Sequence, residues 1–153
     1  TIRFNEEDVR TMGRTAHGVR GITLEPGDEV IGMETITPDS TTAILTVTEG
    51  GYGKRTPVNE YRVQGRGGKG IISVKTTERN GPAVGFLQVR DEDEIMLMAA
   101  QGKVLRCKVD DIREIGRNTQ GVRLLDMDGD EDRVVAVVRL VEREEGVPEE
   151  GES

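Results

Sequence analysis

Apolar residues along the chain occur in short runs, and several of them alternate with polar residues at every second position. Leu105, Cys107 and Val109 alternate with Arg106 and Lys108, which is the pattern of a β-strand with one buried face. No window of a dozen residues shows the helical period of about 3.6 residues. The predicted strands are 43–47, 54–58, 71–75, 84–89, 95–99, 104–109, 122–127 and 134–140. The pattern therefore predicts an all-β chain.

Turn-forming residues separate these strands. Gly50-Gly51 and Gln101-Gly102 each lie between two short apolar runs and predict β-hairpins. Asn80-Gly81-Pro82 and Asp128-Gly129 mark the turns before the last strand of each group. The chain is thus predicted to contain groups of four short strands.

One motif, R-x-x-G-R-x-x-x-G, occurs three times and defines an internal repeat. It starts at Arg10, Arg62 and Arg113, at spacings of 52 and 51 residues. The register continues outside the motif at further equivalent positions: Arg3, Arg55 and Arg106; Val9, Tyr61 and Ile112; Val19, Ile71 and Val122; Ile22, Val74 and Leu125. Four strands repeated about every 51 residues are typical of propeller blades. We predict three blade-like units, at about 1–40, 41–91 and 92–141.

The number of units indicates a piece of a larger array. The first unit lacks a strand equivalent to 43–47 of the second. Three blades are also fewer than the roughly four to eight of a closed propeller. The fold class predicted from the sequence is therefore an all-β, propeller-like fragment.

Composition argues against most enzyme chemistry. Cys107 is the only cysteine and His17 the only histidine, so the chain can form neither an internal disulfide nor a Cys/His zinc cluster. The acidic segment 126–132 departs from an EF-hand loop, because Glu131 and Val137 stand where glycine and glutamate are required. We predict no catalytic residue and no metal site, and a solvated acidic turn at 126–132.

The net charge of −8 is unevenly distributed along the chain. Residues 142–153 hold six Glu and one Arg, a net charge of −5, which leaves −3 for the remaining residues. We predict a nearly neutral folded body, residues 1–141, followed by a disordered acidic tail that can occupy cationic residues of the body. The longest apolar runs are too short to form a membrane-spanning helix.

The glycine-rich segment 65–70, Gly-Arg-Gly-Gly-Lys-Gly, matches the pattern G-x-G-x-x-G. A dinucleotide site requires a helix after these glycines, whereas Ile71-Ile72 is typical of a β-strand. A P-loop requires Ser or Thr after its lysine, whereas Gly70 follows Lys69. We favour a turn whose backbone amides, Arg66 and Lys69 contact a phosphate; the alternative is that the glycines only shape the turn of the repeat.

The repeated arginines are the main candidates for ligand contact. Those in the glycine-spaced loops are predicted to contact phosphates. Those on the strands, such as Arg55, either contact phosphate or pair with the repeated acids Glu7 and Asp110. The predicted DNA-binding residues are Arg14, Arg20, Lys54, Arg55, Arg66, Lys69, Arg106, Arg117 and Arg123. Cations along a curved edge suit a bent duplex held by its backbone, and the low aromatic content of 3% argues against single-strand binding.

Three runs of sequence carry a family resemblance: VRTMGRTAHGVRGITLEPGD, GGYGKRTPVNEYRVQGRGGKGIISVKTTERNG and GKVLRCKVDDIREIGRNTQGV. They closely resemble the C-terminal domain of DNA gyrase A, over residues 1 to about 141. The resemblance implies a six-bladed β-pinwheel that wraps duplex DNA around a basic rim, with this chain as its last three blades. In that family the heptapeptide QRRGGKG lies in the first blade, whereas residues 64–70 read QGRGGKG, in which Gly65 is the glycine of the repeat. We therefore interpret 64–70 as an element of the fifth blade that is similar to the heptapeptide.

The resemblance also implies partners and a setting. The partners are duplex DNA, the rest of gyrase A and the gyrase ATPase, gyrase B, in the cytoplasm of a bacterium and associated with the nucleoid. The parent complex is expected to use ATP and Mg²⁺ for negative supercoiling, while this chain is expected to hold no cofactor. Two alternatives are the equivalent domain of topoisomerase IV, which the regular repeat disfavours, and a propeller-type adaptor for protein interactions.

Overall fold

A computed structural model of the chain describes residues 1–38 and 41–140. Its strands are β1 (Ala43–Thr48), β2 (Tyr52–Pro57), β3 (Ala83–Val89), β4 (Glu94–Ala99), β5 (Val104–Lys108), β6 (Val122–Arg123) and β7 (Val134–Leu140). Three short 3-10 helices lie at Glu6–Asp8, Val58–Glu60 and Val109–Asp111, and the described residues contain no α-helix. The predicted all-β class is confirmed. The predicted acidic tail, 142–153, lies outside the described residues.

The strands form two antiparallel sheets. One has the order β3-β1-β2-β6 and the other the order β5-β4-β7. The hairpins predicted at Gly50-Gly51 and Gln101-Gly102 are β1–β2 and β4–β5. In each sheet, the last strand of the unit returns beside the first strand of its hairpin, as β3 does beside β1 and β7 beside β4.

Neighbouring units exchange a segment of backbone. β6 belongs to the third unit but pairs with β2 of the second, where Tyr52 lies opposite Arg123 and Gly53 opposite Val122. The equivalent residue of the second unit, Ile71, pairs with Thr1 of the first through N–H···O bonds of 2.7 and 2.9 Å in the two directions. Each junction between units is therefore made by backbone hydrogen bonds as well as by side chains.

This exchange corrects two strand predictions. Segment 71–75 is not a strand. Among the described residues, Ile71 forms backbone hydrogen bonds only with Thr1, and the next bond between backbone groups in this segment runs from Lys75 N to Thr119 O. β6 covers two residues rather than 122–127, because Leu124 N and Leu125 N both turn to the carbonyl of Gly51. A strand needs a partner along its whole length, and these segments have one for only a few residues.

The main core lies between the two sheets. Leu45, Val47 and Val89 of the first sheet pack with Ile95 and Leu97 of the second, and all five are fully buried. The remaining buried members of this cluster are Ala43, Ala99, Val109, Ile112, Leu125 and Val134. Cys107 packs half-buried against the cluster, as its alternation pattern predicts, and burial raises the pKa of its thiol.

Candidate nucleic-acid interface

The second arginine of the repeated motif joins neighbouring units. Arg66 donates from Nη1 to Arg20 O at 2.7 Å and from Nε to Asp8 O at 3.0 Å. Arg117 makes the equivalent bond to Ile72 O at 2.8 Å. Both side chains are half-buried. These arginines thus fasten their loops to the preceding unit while keeping part of the guanidinium at the surface.

The glycine-rich loop 65–70 lies against 20–25 of the first unit, and we call this contact the first junction. Gly67 N donates to Gly21 O at 2.7 Å, while Thr23 bonds the loop through its N–H to Gly68 O and through its hydroxyl to Gly67 O. Lys69 Nζ meets Glu25 Oε1 at 2.6 Å, and its side chain is 74% exposed. No helix follows Gly70, which removes the dinucleotide interpretation.

Three cations therefore surround the first junction: Arg20, Arg66 and Lys69. Arg20 is exposed, and its guanidinium has no partner among residues 1–38 and 41–140. Within these ranges only one carboxylate, that of Glu25, pairs with this group. Arg14, in the loop of the first unit, is also exposed.

The second junction, between 72–77 and 117–121, has the same backbone arrangement but a different set of charged residues. Lys75 N donates to Thr119 O at 2.9 Å, as Thr23 N does to Gly68 O in the first junction. The positions equivalent to Arg20 and Lys69 are held here by Ile72 and Gln120. The second junction keeps two cations, Arg117 and the exposed Lys75, so the first junction has one cation more but also contains the carboxylate of Glu25.

Two predicted DNA-binding residues are buried, which corrects their assignment. Lys54 Nζ donates to Gly116 O at 2.7 Å, to Arg117 O and to Thr119 Oγ1 at 3.1 Å. Arg55, with 7% of its surface exposed, donates to Ile112 O at 2.6 Å. A phosphate cannot reach side chains that the following unit covers. The repeat does contain a signal for the burial of Lys54, which the sequence analysis missed. The equivalent positions in the other two units are held by the apolar residues Ile2 and Leu105.

Arg55 pairs with acidic residues, which was the alternative to phosphate contact for the arginines on the strands. It forms ion pairs with Asp91 and with Asp110, the second at 3.9 Å. Asp110 is the acid that the repeat offers as its partner. Arg106, on the edge strand β5, pairs with Glu94 but keeps 62% of its side chain exposed. The equivalent arginine is thus buried where the next unit covers it and exposed on β5.

A family model described as DNA gyrase C-terminal domain, beta-propeller, matches residues 1–37, 42–90 and 93–140. The chain belongs to this family. It is 47% identical over 151 residues to the A subunit of DNA gyrase from Staphylococcus aureus strain NCTC 8325 / PS 47, a match that covers 99% of this chain and 17% of that protein. A second relative, the same protein from S. aureus strain MRSA252, is 48% identical over 92% of this chain and 16% of its own length. The chain spans about a sixth of the length of these relatives.

Solved structures give the same fold. A structure of the DNA gyrase A C-terminal domain superposes with a TM-score of 0.78 at 31% identity, over 90% of this chain and 46% of that one. The C-terminal domain of DNA topoisomerase IV superposes with a TM-score of 0.82 at 28% identity, over 90% of this chain and 42% of that one. The two sheets of this gyrase-family chain are therefore blades of a β-pinwheel.

In this gyrase-family domain, Arg123 and Arg79 share one partner. Arg123 Nη2 and Arg79 Nε donate to the hydroxyl of Tyr52 at 2.8 and 2.7 Å, and both guanidinium groups lie over its ring. The hydrogen bond from Arg123, assisted by that from Arg79, lowers the pKa of Tyr52. Arg123 also pairs with Asp126 at 2.9 Å. Sequence analysis missed Arg79, which lies outside the repeated arginine positions.

The acidic turn 126–132 is held by backbone N–H groups, one of them within the turn and two outside it. The carboxylate of Asp132 accepts hydrogen bonds from the N–H groups of Gln101, Asp128 and Arg133. Burial acts to raise the pKa of Asp132, but these three bonds outweigh it and lower the pKa. The prediction of a solvated turn is therefore wrong for Asp132, which is buried. None of the helices in the described part of the chain is long and apolar enough to cross a membrane.

Lys54 gives the gyrase-family chain a testable pH dependence. Burial lowers the pKa of its ammonium from 10.5 to about 8, with Glu60 opposing the shift and Arg117 adding to it. Between these two pH values the unfolded chain keeps a proton that the folded chain has released. The unfolded state then binds more protons, so Lys54 makes the free energy of unfolding rise with pH across this window.

We therefore expect the stability of the native chain, relative to Lys54→Met, to increase from about pH 8 to pH 10.5 and to stay level below pH 8. Urea unfolding of both proteins at intervals from pH 7 upward measures this difference. The comparison cancels the titration of tyrosines, which both proteins share. Parallel stability curves across the whole range would contradict the buried position of the ammonium.

Proposed function

We propose that this chain binds duplex DNA through its phosphate groups and serves as the DNA-wrapping part of a DNA gyrase. Membership in the gyrase C-terminal family supports the assignment. In the longer protein, we propose that it acts with the rest of gyrase A and with gyrase B in ATP-dependent negative supercoiling of bacterial DNA. ATP and Mg²⁺ would be held by those other parts.

The observation that carries the proposal is the first junction. Arg20, Arg66 and Lys69 lie on adjoining loops, and within residues 1–38 and 41–140 Glu25 is the only carboxylate that forms an ion pair with any of the three. Hydrogen bonds between the loops hold the backbone segments that carry these cations next to each other. Fixed cations at the surface recognise a backbone phosphate without reading bases.

The aromatic residues support duplex rather than single-strand binding. Tyr52 and Tyr61 are buried, and Phe4 and Phe86 are partly buried. Tyr61 packs edge-on against Phe86, with ring centroids 6.5 Å apart. Proteins that hold single strands stack bases on exposed aromatic rings, and these four rings are engaged in the fold.

Competition binding tests the proposal. A labelled linear duplex bound to the chain should be displaced equally well by unlabelled duplexes of unrelated sequence, and less well by single strands, because contacts to phosphate carry no sequence information. A sharp preference for one sequence would contradict binding through the backbone. No binding to any duplex at low salt would instead favour the protein-interaction adaptor.

Topoisomerase IV is a second candidate for the parent enzyme. The structural match to its C-terminal domain has the higher TM-score, 0.82 against 0.78. We favour gyrase because the sequence identity to gyrase A is 47% over nearly the whole chain. Conversion of relaxed plasmid to the negatively supercoiled form by the complete enzyme would support gyrase, and failure to supercoil would support topoisomerase IV.

A further inference from the structure

Three side chains meet where the third unit docks on the second, and we call them the Tyr52 cluster. Tyr52 and Arg79 belong to the second unit and Arg123 to the third, so the structure describes both sides of this contact. We propose that the Tyr52 cluster binds a phosphate group of the DNA backbone, with the hydroxyl of Tyr52 donating a hydrogen bond between the two guanidinium groups. This inference rests on the proposed function and adds a contact outside the first junction.

The hydroxyl of Tyr52 is a hydrogen-bond donor available to a ligand. Its oxygen accepts from Arg79 Nε at 2.7 Å and from Arg123 Nη2 at 2.8 Å, which uses its capacity to accept. Its own hydrogen must point away from both guanidinium groups, and no group in residues 1–38 and 41–140 accepts it. Tyr52 is only 5% exposed, and buried polar groups are nearly always hydrogen-bonded. The buried ring therefore holds a fixed donor beside two cations.

The two guanidinium groups of the cluster are close neighbours with little compensation. Their central carbons lie 5.2 and 5.3 Å from the centre of the Tyr52 ring. Within the described ranges Arg79 forms no ion pair, and Arg123 pairs only with Asp126, while its side chain stays 53% exposed. Like charges held this close repel each other, and an anion bound between them relieves the repulsion. Each guanidinium has five N–H donors and keeps some of them for phosphate oxygens after it has bound Tyr52.

The internal repeat indicates that the docking of one unit on the next does not require the cluster. The first junction has the same backbone arrangement, yet Ile72 holds the position of Arg123 there and Gly27 that of Arg79. In the third unit Lys103 holds the position of Tyr52. The same contact between units thus forms without these two arginines, which favours a ligand-binding role for them over a structural one.

Carboxylates near the cluster oppose a phosphate only weakly. Arg79 and Arg123 line an open cavity together with five acidic residues: Glu49, Glu78, Asp130, Glu131 and Asp132. Among the described residues, none of these five forms an ion pair with either guanidinium. Water and salt screen repulsion between exposed charges that do not touch, whereas the two guanidinium groups would contact the phosphate directly. We therefore expect attraction to exceed repulsion at the cluster.

Duplex binding by four variants tests the proposal. Arg79→Ala removes a cation, so the affinity should fall on the order of tenfold at 50 mM salt and the salt slope should become shallower by about 0.9. Tyr52→Phe keeps the ring but removes a neutral donor, so the affinity should fall up to about tenfold with the slope unchanged. Tyr61→Phe is the matched control, because the hydroxyl of Tyr61 bonds Ser73 at 2.8 Å inside the fold, and it should bind like the native chain. Arg90→Ala controls for the loss of one exposed charge and should leave the slope closer to native than Arg79→Ala does.

A measurement on the native chain covers the case in which a variant does not fold. Tyr52 and Tyr61 are the only tyrosines, so a chain labelled with ¹³C at the tyrosine Cζ gives two NMR signals. Hydrogen bonds from Arg123 and Arg79 lower the pKa of Tyr52, whereas burial raises the pKa of Tyr61, so the signal that titrates first as the pH rises belongs to Tyr52. Bound duplex should shift the Tyr52 signal and move its titration to higher pH, because a neighbouring phosphate disfavours the phenolate. The Tyr61 signal should stay unchanged.

The outcomes distinguish this inference from the proposed function. A native chain that binds duplex as tightly as Arg79→Ala and Tyr52→Phe do, with an unmoved Tyr52 signal, overturns the phosphate contact at the cluster and leaves the proposed function standing. A native chain that binds no duplex at low salt overturns both. Inorganic phosphate is the probe for another source of the same chemistry. A Tyr52 signal that moves with inorganic phosphate but not with duplex overturns the contact with DNA and assigns the cluster to free phosphate.

Discussion

Gly51→Ala is expected to destabilise the chain by about 2–5 kcal/mol, whereas Gly102→Ala costs only about 1–2 kcal/mol. The two glycines occupy equivalent hairpin turns, with φ of 82° and 91°. The left-handed conformation is unfavourable for alanine at either site, because its Cβ atom approaches the backbone. The surroundings of the two positions differ, and this difference should set the outcome.

A Cβ atom on Gly51 would overlap the carbonyl oxygen of Leu125 and lie 2.9 Å from Met127 Cε, whereas one on Gly102 would meet nothing within 4 Å. The methionine can move, but Leu125 O belongs to the segment of the third unit whose N–H groups bond Gly51 O of the second unit. Relief of the overlap must therefore shift backbone between units. Urea unfolding of both variants measures the two losses, and equal losses would show that the junction adapts without cost.

The DNA affinity of the native chain is expected to fall steeply with salt, and Arg66→Ala with Lys69→Ala should make this dependence shallower. Each phosphate contact contributes a slope of about −0.9 to the plot of log K against log salt concentration. With about four contacts, a fourfold rise in salt lowers the affinity on the order of a hundredfold. Loss of two contacts should reduce the slope by about 1.8.

The structure defines what else this double variant removes. Arg66 loses two bonds to carbonyl groups at the first junction, and Lys69 loses an exposed ion pair with Glu25. The bonds of the Arg66 guanidinium contribute about 1.5–3 kcal/mol each to stability, and the exposed ion pair of Lys69 about 1 kcal/mol or less. The control is Arg90→Ala with Arg139→Ala, which removes the same charge from the ends of β3 and β7. An unchanged slope in a folded variant that melts earlier would make the first-junction cations structural.

The sequence by itself determined the fold class, the hairpins and the repeat. Period-two alternation identified β5, and the pairs Gly50-Gly51 and Gln101-Gly102 identified the hairpin turns, because these features depend on neighbours within a few residues. The motif R-x-x-G-R-x-x-x-G aligned the three units and with them the family. The local pattern is enough to predict such features, since each depends on the face of the strand that a residue occupies or on the φ angle of a single residue.

Only the tertiary structure decided which units the segments join and which cations face solvent. Val122 lies in the third unit and pairs with Gly53 of the second, a contact across many residues that no local pattern encodes. That exchange places the loop 116–119 over Lys54 and places Ile112 over Arg55, and both cations are therefore buried. In the sequence alone, these two cations cannot be distinguished from the exposed Lys69. Arg55 and Arg106 are equivalent in the repeat but differ in exposure, because the next unit covers one and not the other. Burial depends on what packs on a side chain from elsewhere in the chain, and this is the information that the repeat alone does not contain.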